Sequence, residues 1–175
     1  MLRKFYSYMY KIRVILDTPE DVIRTLLVDR ASNLEALHYA IAQSFGFDGT
    51  EMASFYRSDY DWNQGDEIPL FNMSEAGEGI SMQNSFLRKT LPEVNDKLIY
   101  VYDFLNMWTF YVEVIEISEQ TDQELPKTIL SVGEVPEVAP EKEFVAETFD
   151  DGLDDEFGGF GDEFESLDDI DFDSY

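Results

Sequence analysis

Tyr8-Met9-Tyr10-Lys11-Ile12-Arg13-Val14-Ile15-Leu16 carries the strongest structural signal in the chain. Counting from Tyr6, the residues Tyr6, Tyr8, Tyr10, Ile12, Val14 and Leu16 fall on one side of an extended chain. Ser7, Met9, Lys11, Arg13 and Ile15 fall on the other. Successive side chains of a strand point to opposite faces, so this period of two predicts a β-strand with one apolar face. Lys11 and Arg13 also break the run too early for a signal-peptide core or a membrane span, which needs roughly 18 uncharged apolar residues. No later stretch approaches the length of such a span.

Working outward, Asp17-Thr18-Pro19-Glu20-Asp21 has turn chemistry, and Val22 to Val28 is a second β-rich run. So short a link admits only an antiparallel pair. Ser32 with Glu35 three residues on reads as a capping box. Leu34, Leu37, His38, Ile41 and Phe45 then recur at helical spacing on one face, and Gly46 suits the left-handed end of that helix. Glu51 to Tyr56 is a strand candidate. Residues 57–86, polar and carrying Gly65, Pro69, Gly77 and Gly79, are expected to form a long loop with little regular structure. Lys97 to Phe104 and Trp108 to Ile117 alternate as a hairpin around Leu105-Asn106-Met107, and Thr128 to Val132 offers a short edge strand. The expected fold is α+β: a mostly antiparallel sheet in the order β-β-α-β-β-β with one main helix packed on it, β-grasp-like in outline.

Charge divides the chain in two. Of 38 acidic and 12 basic residues, residues 1–133 hold 21 and 11, and residues 134–175 hold 17 acids and Lys142 alone. The expected division is therefore a folded domain over 1–133 and an acidic tail over 134–175. That tail has too little apolar surface to offset its ordering entropy and is expected to be disordered. Phe144, Phe149, Phe157, Phe160, Phe164, Phe172 and Tyr175 are scattered through the acid. They are either incidental to a solvating tail or the contacts of an interaction tail. A net charge of −26 repels a nucleic-acid backbone, so direct nucleic-acid binding is not expected. The absence of cysteine removes disulfides, thiolate zinc sites and cysteine nucleophiles, and fits a cytoplasmic protein.

Three blocks together resemble the plasmid pRiA4b ORF-3-like family, sometimes labelled a TnpR-like passenger of insertion elements. They are Tyr10 to Leu16, Leu34 to Ile41 running into Ser44-Phe45-Gly46-Phe47, and Leu98 to Phe104 with Trp108 four residues later. The resemblance spans roughly residues 8–117. It implies a small cytoplasmic α+β domain with no agreed biochemical activity, often found near mobile elements. It also marks Leu37, His38, Phe45, Gly46, Tyr102, Asp103, Phe104 and Trp108 as the motif positions of possible importance. The family's hairpin usually runs Tyr-Asp-Phe-Gly-Asp, then Trp, then a His two positions on. Here Leu105 stands for the Gly, Asn106 for the second Asp and Phe110 for the His. Chemistry resting on that Asp and His would be lost, and a resolvase role finds no support.

Candidate catalytic groups are few. His38, the only histidine, sits among apolar helix positions and reads first as a core residue, with a ligand or base role as the alternative. Asp103 reads as an acceptor for backbone N–H groups of the turn before Trp108, with catalysis as the alternative. Asp59-Tyr60-Asp61-Trp62-Asn63 begins like a calcium loop but has Gln64 at the sixth place and Leu70 at the twelfth. No nucleophile elbow, phosphate loop or dinucleotide fingerprint occurs. No catalytic, cofactor or metal residue is therefore expected. The leading expectation is a non-enzymatic protein-interaction module whose residues 141–175 engage a basic protein. One alternative is a mobile-element-associated protein whose acidic tail mimics DNA. Another is an enzyme using Asp103 and loop acids.

Overall fold

The computed structural model describes residues 7–74, 76–120 and 122–141, so the sequence's acidic tail beyond Glu141 lies outside the described residues. The elements are β1 (Tyr8–Leu16), β2 (Ile23–Asp29), α1 (Leu34–Ser44), β3 (Ala53–Ser58), β4 (Gln64–Pro69), α2 (Leu87–Thr90), β5 (Lys97–Tyr102), β6 (Trp108–Glu119) and β7 (Lys127–Val132). The strands form one sheet in the order β4-β3-β5-β6-β1-β2-β7. Every pairing in it is antiparallel.

The expected alternation of β1 is what places it near the middle. Tyr10, Ile12, Val14 and Leu16 are all buried, while Lys11 and Arg13 point to the other face. There they pair with Glu116 and Glu113 on β6. On the apolar face these β1 residues share one core with Leu26 and Val28 of β2, Leu98, Tyr100 and Tyr102 of β5, and Trp108, Phe110, Val112 and Val114 of β6. Leu34, Leu37 and Ile41 of α1 lie on this surface and close the core.

Several expectations need correction. Asn33, not Ser32, caps α1: its side-chain oxygen accepts from the Ala36 N–H at 2.9 Å, so the Ser32–Glu35 capping box does not form. A second, four-residue helix α2 is present, and residues 57–86 contain β4. Ile68, Leu70 and Met82 anchor that region in the core, and the rest of β4 is polar because it is an exposed sheet edge. The β-grasp outline gives way to seven antiparallel strands. β5 stops at Tyr102, where Asp103 turns to a positive φ of 61°, so Phe104 leaves the apolar face and is half-exposed in the turn.

Packing continues past Gly133. Val135 and Ala139 lie against the core, and the compact unit ends at Pro140. Among the described residues no helix is long and apolar enough to cross a membrane.

Candidate functional site

The end of α1 and the β5–β6 turn meet at one edge of the sheet. Gly46 adopts a φ of 84° and carries the chain off the helix. The Phe47 N–H donates to the Ala42 carbonyl at 2.8 Å. The Phe47 ring then packs against Tyr102 and Trp108, with centroids 5.0 and 5.1 Å away. Asp48 folds its own loop. Its Oδ1 accepts from the Thr50 N–H at 3.0 Å, the Thr50 hydroxyl at 2.8 Å and the Tyr102 hydroxyl at 3.0 Å. The Thr50 and Tyr102 donors hold the Asp48 carboxyl below its ordinary pKa, since they favour the charged form. Tyr102 in turn accepts from the Gly49 and Glu51 N–H groups at 3.1 and 3.3 Å. Burial raises its own pKa, so it stays a neutral donor.

Across the turn, Asp103 is consumed by local structure. Its carboxylate accepts from the Leu105 N–H at 3.1 Å and from Asn106 Nδ2 at 2.6 Å, and its carbonyl accepts from the Met107 N–H at 2.6 Å. These loops enclose a cleft of about 490 Å³. Phe47, Tyr102 and Trp108 supply its aromatic wall, while Asp48, Glu51, Asp103 and Glu137 supply carboxylates. No Lys, Arg or His lines it. The side chains of Glu51 and Glu137 make no hydrogen bond among the described residues, so their charge faces the cleft unneutralised. Among those residues no group of three His, Cys, Asp or Glu side chains is placed to hold a metal ion.

Four of the motif positions therefore converge: Gly46, Tyr102, Asp103 and Trp108 line the cleft. The others do not. Leu37 is core, and Phe45 stacks on Phe110 at 4.7 Å beneath the Arg24 guanidinium. Phe104 is outside the lining. His38 is fully buried, with Nδ1 2.6 Å from the Tyr100 hydroxyl, and does not meet Asp103. Burial lowers its pKa to about 4, the Gly49 backbone opposing, so the ring is neutral near pH 7. Burial holds Tyr100 protonated, and its hydroxyl shares a hydrogen bond with Nδ1. Nε2 has no hydrogen bond of ordinary geometry among the described residues.

Sequence reasoning missed Asp48, Glu51 and Glu137 as lining residues. The Asp48-Gly49 dipeptide was the available signal for a tight loop at the cleft. The replacements in the hairpin motif also find places. Leu105 stands 95% exposed at the turn's tip, Asn106 braces Asp103, and Phe110 is fully buried against Phe45 and Tyr100.

A family model described as plasmid pRiA4b ORF-3-like protein matches residues 8–141. The chain belongs to that family. Its fold is also similar to the crystal structure of a protein of unknown function from Methanosarcina mazei Go1. That likeness has a TM-score of 0.61 over 95% of this chain and 85% of the other, at 18% identity. No curated protein matches. In this pRiA4b ORF-3-like domain the matched segment takes in both the β5–β6 turn and Glu137, and so the whole cleft lining.

Proposed function

We propose that the domain is a non-enzymatic protein-interaction module, and that the acidic, aromatic cleft receives Lys or Arg side chains of a basic partner. The observation that carries this is the pairing of three aromatic rings with four carboxylates and no cation in one lining. A guanidinium or ammonium gains from an aromatic face and from carboxylates at once, and gains most where both are held in place. Here Tyr102 is fixed by three hydrogen bonds and Phe47 by three ring contacts. Residues 141–175, with 15 acids and one lysine, follow directly on the segment that supplies Glu137 and would extend the same attraction along the partner. The cysteine-free sequence suits a reducing cytoplasm as the place where this happens.

An enzymatic role for Asp103 draws no support from a carboxylate each of whose oxygens already accepts a bond from its own turn, with no base or second acid bonded to it. The test is calorimetric titration of the full chain with a short Lys/Arg-rich peptide. Saturable binding should weaken by at least about fivefold when Glu51→Gln and Glu137→Gln are combined, and should fall as salt rises. Unchanged affinity in the double variant would overturn the cleft as the site. Competition by DNA for the bound partner would favour the mimicry alternative instead.

A further inference from the structure

In a chain with 38 acidic and 12 basic residues, an arginine without a carboxylate partner needs an explanation. Lys11, Arg13 and Lys97 have ion pairs, and Arg24 donates to backbone carbonyls. Arg30, Arg57 and Arg88 have no ion pair among the described residues, and two of them, Arg30 and Arg88, line one cleft of about 470 Å³ with Ser7, Tyr8, Asp29 and Ala31. This cleft is separate in its lining from the acidic one.

Arg30 is held by its ring contacts, and the backbone that carries Arg88 is held by hydrogen bonds. The Arg30 guanidinium lies over the rings of Tyr8 and Tyr10, 5.7 and 5.8 Å from their centroids, and its Nε is buried with no hydrogen-bond partner. The Tyr10 side chain also hydrogen-bonds this guanidinium, so rings and hydroxyl together fix its position. Arg88 stands exposed on α2, beside Leu87, whose N–H donates to the Ser32 carbonyl at 2.9 Å. The Leu34 N–H donates to the Ser85 carbonyl at 2.8 Å, so the segments bearing the two arginines are stitched together. The single carboxylate in the lining, Asp29, accepts from the Ala31 N–H at 2.8 Å and is engaged in its own turn. Two guanidinium forks against one occupied carboxylate leave the cleft net positive in a strongly negative molecule.

We propose that the Arg30–Arg88 cleft binds a small oxyanion, a phosphoryl or carboxylate group, through both guanidinium groups. A planar fork of N–H donors matches either oxyanion in two-point geometry, and the Arg30 fork, already stacked on two rings, needs little reordering on binding.

The experiment is an amide-resolved NMR titration of the full chain with inorganic phosphate and, separately, with acetate, at constant ionic strength set with chloride. The Ser7 and Ala31 amides should shift saturably at millimolar concentrations of at least one anion. Saturation with phosphate alone assigns a phosphoryl ligand, and with acetate alone a carboxylate. Arg30→Gln and Arg88→Gln should each weaken the binding by about fivefold or more. Arg88 is exposed, so its variant tests the site without endangering the fold. Arg57→Gln removes another exposed arginine that lies outside the cleft and should leave the titration unchanged. Linear, unsaturated shifts with both anions up to about 50 mM, or an equal loss in Arg57→Gln, would overturn the proposal.

Discussion

His38 carries the clearest pH consequence in the molecule. It is fully buried, neutral and bonded to Tyr100, and its pKa falls from 6.5 to about 4. The unfolded chain therefore binds a proton on this ring between those values while the folded chain does not. Stability from this residue is complete above pH 6.5 and is lost as pH falls toward 4, by up to about 3 kcal/mol. Urea unfolding of His38→Phe at pH values from 7 down to 4 should show a flatter decline than the parent. Equal slopes would show that the ring does not titrate as its burial implies. The absolute stability of the variant is a separate matter, because Phe leaves the Tyr100 hydroxyl without its partner. Asp103 is the second residue-scale case. Asp103→Ala removes the acceptor for Leu105 and Asn106 and should lower stability by about 1–2 kcal/mol, while Asp103→Asn should retain part of it. The sequence placed both residues on sensible elements. It could not reveal that Tyr100, 62 residues away, would take the His38 ring nitrogen, because that contact exists only once α1 lies on the sheet.

At the scale of elements, legibility followed the contrast between the two faces of a strand. β1 and β6 alternate because one face is core and the other carries ion pairs, so their sequences announce them. β4 has Gln64-Gly65-Asp66-Glu67 ahead of its one buried residue, Ile68, and reads as loop because an exposed edge needs no apolar face. β7, the other edge, is attached in part through Arg24. That buried side chain donates to the Ser44 carbonyl at the end of α1 and to the Val132 carbonyl on β7, each at 2.9 Å, while lying over Phe45. One residue thus ties helix, central hairpin and edge strand together, with its charge satisfied by backbone dipoles. Arg24→Met should cost about 1–2 kcal/mol and speed hydrogen exchange in β7 ahead of the rest of the sheet, since two partly exposed carbonyls lose a charged donor. Arg24→Lys should recover only part, because an ammonium does not span both directions. Exchange in β7 unaffected by Arg24→Met would mean that the backbone ladder to β2 alone holds the edge.

The whole molecule sets a net charge of −26 against a core built on one face of a sheet. Charge alone suggested that the folded domain stops at Gly133, since the acid becomes dense beyond it. The packing of Val135 and Ala139 could not be read there, because two apolar residues within a run holding Glu134, Glu137 and Glu141 have no period to betray them. The two boundaries make different chains. A chain ended at Pro140 keeps those contacts and the cleft carboxylate of Glu137, and sheds 15 acids with one lysine. One ended at Gly133 sheds the contacts as well. In about 0.5 M salt, where charge repulsion is screened, the Pro140 chain should melt within roughly 2 °C of the full chain. The Gly133 chain should melt several degrees lower, for a loss of about 1–2 kcal/mol of apolar burial. At low salt the Pro140 chain should be the more stable of it and the full chain, because removing like charges relieves self-repulsion. Equal melting of the two truncated chains at high salt would show that residues 134–140 add nothing to the core. The acidic cleft would then lose the segment that forms its third side.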